Sequence, residues 1–258
     1  MELSSLFAAT AGVAAAAMIA LWLTSLALRD ASIVDIYWGP GYVVIAAASY
    51  LLAGAGDRAL LVLCLTALWG LRLGGYLLWR NAGHDEDPRY QAMRRHWGAR
   101  FPWVSLVTVF ALQGTLMWFV SLPVQVSIAS EPTPLGIFDA LGVMLFVVGF
   151  TFESVGDWQL ARFKADPDSG GKVMDRGLWR YTRHPNYFGD AVVWWGLFTI
   201  SLSTPAGLYT VLSPAAMTFF LLRISGVAML ERSIGKRRPG YEEYKQRTSA
   251  FVPMPPRS

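Results

Sequence analysis

Seven apolar runs, most of them about as long as a bilayer is thick, leave this chain few folds to choose from. A helix needs roughly 20 mainly apolar residues to cross a membrane. The runs cover approximately Leu6–Leu28, Ile33–Ala53, Leu60–Trp79, Trp103–Val126, Gly136–Leu160, Ala191–Ser203 extended back towards Tyr187, and Leu208–Leu230. Only 16% of the residues are charged, where soluble domains carry about 25%. The expectation is an all-α polytopic membrane protein, a bundle of about seven transmembrane helices forming one domain over residues 1–258. The sixth span is short and the fifth long, so their ends are the least defined.

The basic residues orient the bundle. With the N-terminus outside, the inner segments are Arg29, the Arg80–Arg100 loop, the Arg162–Arg183 loop and the tail from Arg232. They hold 19 of the 22 Lys and Arg, while the outer segments hold only Arg58. The net charge of +4 is therefore the ordinary inner-face excess and does not indicate a nucleic-acid partner. The N-terminus lacks a basic region before its apolar run and reads as a transmembrane helix rather than a signal peptide. The single cysteine, Cys64, lies in an apolar run, so no internal disulfide forms.

The densest polar stretch is Arg180-Tyr-Thr-Arg-His-Pro-Asn-Tyr-Phe-Gly-Asp190, directly ahead of the apolar run from Ala191. Polar groups at the mouth of a hydrophobic helix are costly unless something polar binds there. Charges inside spans are candidates for the same reason: Asp35, Arg72, Glu153, Asp157, Asp190, Arg223 and Glu231. Glu153 and Asp157 stand one turn apart and share a face. Nearly all lie towards the inner side, where interhelical ion pairing alone would not confine them. No GxGxxG, GxxxxGK[ST] or GxSxG occurs, which excludes a Rossmann or P-loop phosphate site and a nucleophile elbow. Three histidines and one cysteine support no zinc site, and no metal is expected. The acidic run Asp85-Glu86-Asp87 reads as a solvated loop.

The combination GLWRYTRHPNYFGD, two apolar helices of which the second ends in Glu-Arg, and then GYEEYKQRTSAFVP resembles the C-terminal half of the steroid 5α-reductase superfamily over roughly residues 150–255. Sterol Δ14-reductases carry a similar pattern. Isoprenylcysteine and phospholipid methyltransferases share its RHP-x-Y-x-G part and the tail. The resemblance implies a bundle whose C-terminal half, here 131–258, encloses NADPH, with residues 1–130 on the substrate side. It implies cofactor contacts from Asn186 and Asp190, and from Trp179, Arg183, His184 and Tyr187 in the same stretch. Asp157 and Lys164 occupy a second family motif, in which Glu153 replaces an asparagine. Arg232 and Tyr244 match the tail, and Arg80 or Asn81 stands near a family Asn-Arg-Gly-Arg loop. Arg176 and Lys236 add cations for the phosphates. Abundant Ala, Gly and Arg suit a GC-rich bacterium, hence a bacterial branch in the cell inner membrane with a cytoplasmic C-terminus.

The substrate half departs from the family. Steroid 5α-reductases place a Gln-Glu pair in helix two and a tyrosine in helix three against the substrate ketone. Here Val34-Asp35 and Trp69 stand at comparable spacing. Asp35 replaces the glutamate, but Trp69 cannot serve as an acid, which points to Tyr37 or Tyr76. The reading is an NADPH-dependent reductase of a double bond conjugated to a carbonyl in a lipophilic substrate reached from the membrane lipids. Asp35 acts protonated or by orienting Tyr37. The rivals are an S-adenosylmethionine-dependent lipid or isoprenylcysteine-type methyltransferase, and a transporter, for which no internal repeat speaks.

Overall fold

The structure is a computed structural model that describes residues 1–224 and 240–257. Its helices are α1 (Leu3–Leu28), α2 (Ile33–Ala53), α3 (Gly56–Asn81), α4 (Pro88–Trp97), α5 (Phe101–Ser105), α6 (Leu112–Val120), α7 (Leu122–Ile128), α8 (Ile137–Ala165), α9 (Pro185–Ser201), α10 (Leu212–Phe219) and α11 (Tyr241–Arg247). Among the described residues, six helical stretches are long and apolar enough to cross a membrane. The 17-residue α9 adds a seventh helix that is buried around most of its circumference, as expected for a helix enclosed by protein rather than lipid. The chain is therefore a multi-pass membrane bundle, as its apolar runs require.

The fourth span differs from its expected bounds. Helical structure runs without a gap from Pro88 to Val120, starting 15 residues before the apolar run. Asp87 caps this start by accepting the Arg89 N–H at 2.9 Å, with Pro88 in the first helical position, where a missing N–H costs nothing. The run contains a π-helical stretch, Leu106–Ala111. It breaks at Ser121 because Pro123 cannot donate to the carbonyl one turn back. A second π stretch, Phe220–Ile224, follows α10.

The chain forms two compact units, Met1–Gly136 with Ser203–Gly207, and Ile137–Leu202 with Leu208–Ser258. In the first, α2 and α3 approach to backbone contact at Gly39 and Gly70, and Pro40 lies against Gly74. A buried polar chain ties α1 to α7: Thr10 donates to Gln125 Oε1 at 2.6 Å, and Gln125 Nε2 donates to Ser121 Oγ at 2.8 Å. The turn before α2 is pinned by Glu86. Its carboxylate accepts the Ala31 N–H at 2.8 Å and two bonds from Arg94 at 2.7 and 3.0 Å. Burial opposes ionisation of Glu86, but these bonds outweigh it and hold the carboxyl below its ordinary value of 4.5.

In the second unit, α8 and α9 meet along glycines spaced by seven residues: Gly142, Gly149 and Gly156 on α8, Gly189 and Gly196 on α9. A Cβ on Gly149 would stand 2.6 Å from the Gly189 carbonyl oxygen, and one on Gly142 2.6 Å from that of Gly196. Small residues let membrane helices pack backbone to backbone where no hydrophobic drive exists between them, and a seven-residue period keeps one face turned to the partner.

Gly149→Ala should cost about 1–3 kcal/mol, as overpacking does, read as earlier thermal unfolding in detergent. Gly12→Ala, in open space on α1, should be neutral. Because the folded carboxyl of Glu86 is depressed, its contribution is complete above pH 4.5 and is lost as the pH falls through the folded value. Glu86→Gln should flatten that acid limb of a melting-temperature series.

Candidate functional site

The second unit gathers most of the candidate cofactor residues at the start of α9. Pro185 opens this helix, with His184 at the N-cap position but making no side-chain capping bond. Gly156 lets the first turn of α9 sit on α8, its bare face turned to Pro185 and the Asn186 N–H. One residue further along α8, buried Asp157 accepts from Asn186 Nδ2 at 3.1 Å. Asn186 Oδ1 accepts the Tyr187 N–H at 3.1 Å, so the amide is held at both ends. Glu153 and Asp190 are buried as well, which makes the α8–α9 contact rich in acceptors. Lys164, Arg176 and Arg180 are exposed on the segments that lead from α8 into this turn.

The rest of the Arg180–Asp190 stretch holds the tail in place. Arg183 is buried; its Nη1 donates to the carbonyls of Lys245 at 3.0 Å and Thr248 at 2.6 Å, and its own N–H to Ser249 O at 2.9 Å. Thr182 Oγ1 donates to Phe251 O at 2.8 Å, and the Met254 N–H to Tyr181 O at 3.0 Å. Trp179 donates from Nε1 to Gly156 O at 3.1 Å, while its carbonyl accepts the Tyr244 hydroxyl. Burial pushes the Tyr244 phenol well above its ordinary value, so it remains a donor at neutral pH. His184 stacks on Tyr187 with ring centroids 5.6 Å apart.

The structure therefore brings Asp157, Trp179, Arg183, His184, Asn186, Tyr187, Asp190 and Tyr244 into one unit. Arg183, expected at the cofactor phosphates, turns its guanidinium to backbone carbonyls of the tail. Arg80 belongs to the first unit, at the exposed end of α3, where it lies over the Tyr76 ring at 5.8 Å. Arg232 and Lys236 lie outside the described residues. Among the described residues, no three His, Cys, Asp or Glu side chains group for a metal ion.

The first unit holds the candidate catalytic residues. Asp35, in the first turn of α2, accepts from Arg89 Nη2 at 2.6 Å and from the Tyr90 hydroxyl at 2.8 Å. Gln113 Nε2 donates to the Tyr90 oxygen at 3.5 Å. Both Asp35 oxygens thus act as acceptors, and the tyrosine it orients is Tyr90, in place of the expected Tyr37. Tyr37 is half-buried on the next part of α2, its ring edge converging with Met117 over Gly41. Sequence reasoning missed Arg89, Tyr90 and Gln113. The signal was present in Asp87-Pro88, a helix-start pair that places Tyr90 on a helix instead of in a loop.

The family described as a protein of unknown function (DUF1295) matches residues 21–248. An uncharacterised protein of Schizosaccharomyces pombe is 23% identical over 90% of this chain and 75% of its own length. Steroid 5-alpha-reductase DET2 of Arabidopsis thaliana is 29% identical over 44% of this chain and 40% of its own length. No solved structure matches. Taken with the helical architecture, the match across most of its length makes this chain a multi-pass membrane member of the DUF1295 family, distantly similar to a steroid 5α-reductase.

Proposed function

We propose that this chain is a membrane-embedded, NADPH-dependent reductase of a double bond conjugated to a carbonyl in a lipophilic substrate, from a bacterial branch of the steroid 5α-reductase-like enzymes. The observation that carries the reading is the Asn186–Asp157 pair at the mouth of α9, because a fixed amide beside buried carboxylates is suited to ribose hydroxyls and a carboxamide. The donor set fits the cofactor's two kinds of polar group. Asp157 and Asp190 offer acceptors for its hydroxyls and amide, and exposed Lys164 and Arg176 offer cations for its phosphates. The partial similarity to DET2 supports the same chemistry.

NADPH, when bound, supplies the hydride. The chain's own residues position it and the substrate, and exclude water. For the substrate the first unit offers an apolar cavity of about 470 Å³ along α1 and the Leu106–Trp118 stretch, lined by Ala14, Met18, Phe110, Gly114 and Trp118 among others. Its walls are almost wholly hydrocarbon, which suits a lipophilic molecule arriving from the bilayer. The 19 inner-face Lys and Arg support a cytoplasmic C-terminus, where NADPH is available, in a cell inner membrane.

The reading is tested on detergent-purified protein. A ligand present at 100 times its Kd and bound only by the folded state adds about 2.7 kcal/mol of stability. NADPH should raise the melting temperature and S-adenosylmethionine should not; the reverse result establishes the methyltransferase alternative instead. Asp157→Ala should weaken NADPH binding about tenfold or more, since it takes the buried acceptor away from the Asn186 amide. Fluorescence titration of NADPH measures this, with Gly12→Ala as the unaffected control.

A further inference from the structure

We infer that the first unit binds an anionic phospholipid, with one acyl chain in the apolar cavity beside α1 and the phosphate at Arg29, Arg95 and Arg100. The inference goes beyond the reductase reading and does not rest on it. It gives the cavity an occupant drawn from the bilayer itself, which an incoming substrate would displace.

The cavity suits a hydrocarbon chain and no polar head. Its walls come from α1 and from the helical run Pro88–Val120, and the side chains with a polar hydrogen among them are those of Thr115 and Trp118. Thr115 Oγ1 donates to Ala111 O at 2.9 Å, and Trp118 Nε1 to Phe7 O at 3.1 Å. Both donors are spent, so a hydroxyl or carbonyl lodged there would lose its water without a donor to replace it. The π-helical stretch Leu106–Ala111 supplies three of the lining residues, Leu106, Phe110 and Ala111, and such bulges recur at functional sites. Ala15, Ile19 and Ala111 are exposed, so the cavity opens sideways from the helix pair. From Leu106 to Trp118 its wall runs about 18 Å at 1.5 Å per residue. One leaflet's half of a hydrocarbon core roughly 30 Å thick is of similar depth.

Both walls pass from hydrocarbon to aromatic to cation in the same direction. On α1, Ile19 is followed by Trp22 and, just past the helix end, Arg29; on the other wall, Leu106 is preceded by Trp103 and Arg100. The two are in register, because Trp22 Nε1 donates to Pro102 O at 3.0 Å and the Trp22 and Trp103 rings lie 5.8 Å apart. Tryptophans sit at the headgroup level of a membrane, so the arginines beyond them stand where a lipid carries its phosphate. A knot of contacts gathers these arginines. The Glu86 carboxylate accepts the Ala31 N–H and two bonds from Arg94, whose guanidinium lies 4.3 Å from the Phe101 ring centroid. Arg29, Arg95 and Arg100 each stand within two residues of a group in this knot, and all three are exposed. Glu86 neutralises Arg94, whereas the other three side chains meet no carboxylate among the described residues. Their guanidinium forks match phosphate oxygens.

The test uses the full chain purified in detergent, without NADPH. Phosphatidylglycerol with brominated acyl chains is titrated against tryptophan emission, since Trp118 lines the cavity and Trp22 and Trp103 stand at its mouth. Phosphatidylcholine with the same chains is the comparison. Wild-type protein should bind phosphatidylglycerol at least about fivefold more tightly. Arg95→Gln and Arg100→Gln should each weaken phosphatidylglycerol about fivefold, the scale of one basic residue beside an anionic lipid, and leave phosphatidylcholine unchanged. Ala15→Phe, which fills the cavity from its exposed side, should weaken both lipids about tenfold and keep the preference, because it removes apolar burial alone. If Ala15→Phe fails to fold, Ala111→Phe fills the same cavity from the other wall. Glycerol 3-phosphate, a head without chains, should not compete. Equal affinity for the two lipids overturns the inference, as does a preference that survives Arg95→Gln and Arg100→Gln together. Unchanged affinity in the cavity-filling variant places the chain elsewhere and overturns it too, and competition by glycerol 3-phosphate replaces the lipid with a free phosphate. Failure of NADPH to raise the melting temperature overturns the reductase reading and leaves this inference intact.

Discussion

Backbone contact between α8 and α9 is the constraint on which the second unit depends. Helices that meet through ordinary side chains stand about 8–10 Å apart. The glycines at 142, 149, 156, 189 and 196 remove those side chains at each point of contact. Only because Gly156 admits the first turn of α9 does Asn186 reach Asp157, at 3.1 Å. The same closeness buries Glu153 and Asp190 beside the seam, where carboxylates are costly unless hydrogen-bonded or matched by a ligand. The seam is thus both the main packing surface of the unit and the device that assembles its acceptors.

The Arg180–Asp190 stretch divides its labour along its length. Thr182 and Arg183 clasp the tail from Lys245 to Phe251, while Asn186 turns to α8. An arginine suits the first task because its fork of donors can hold several carbonyls at once, where a lysine presents a point charge. Tyr244 and Trp179 continue the clasp, and Arg247 pairs with Asp175 at 2.6 Å. Residues that a motif groups together therefore take two kinds of place. Some face the acceptor-rich turn, and others close the chain around that turn.

The membrane spans were legible because length and apolarity decide them without reference to neighbours. The start of the fourth helix was not, since its first turns carry Arg89, Arg94 and Arg95 and so read as loop. Only the cap at Asp87 marks the true beginning. Resemblance singled out Asn186 and Asp157 separately as cofactor contacts, but not their bond to each other. The turn of Arg183 to the tail was equally hidden, because the pattern of a sequence shows that a cation is required and not what it meets. The partner of Asp35 escaped for a related reason: Tyr90 lies 55 residues away, and a long-range pair leaves no local periodicity.

The first unit shows how a span that begins in a polar segment is still fixed to its neighbours. Asp35 stands in the first turn of α2 and accepts from Arg89 and from the Tyr90 hydroxyl, both carried on the capped first turn of α4. Trp69 on α3 packs the core against Tyr42, and the α2–α3 contact closes on glycine at Gly39 and Gly70. Backbone contact therefore sets the distance between α2 and α3, while charge and hydrogen bonds tie α2 to the start of α4.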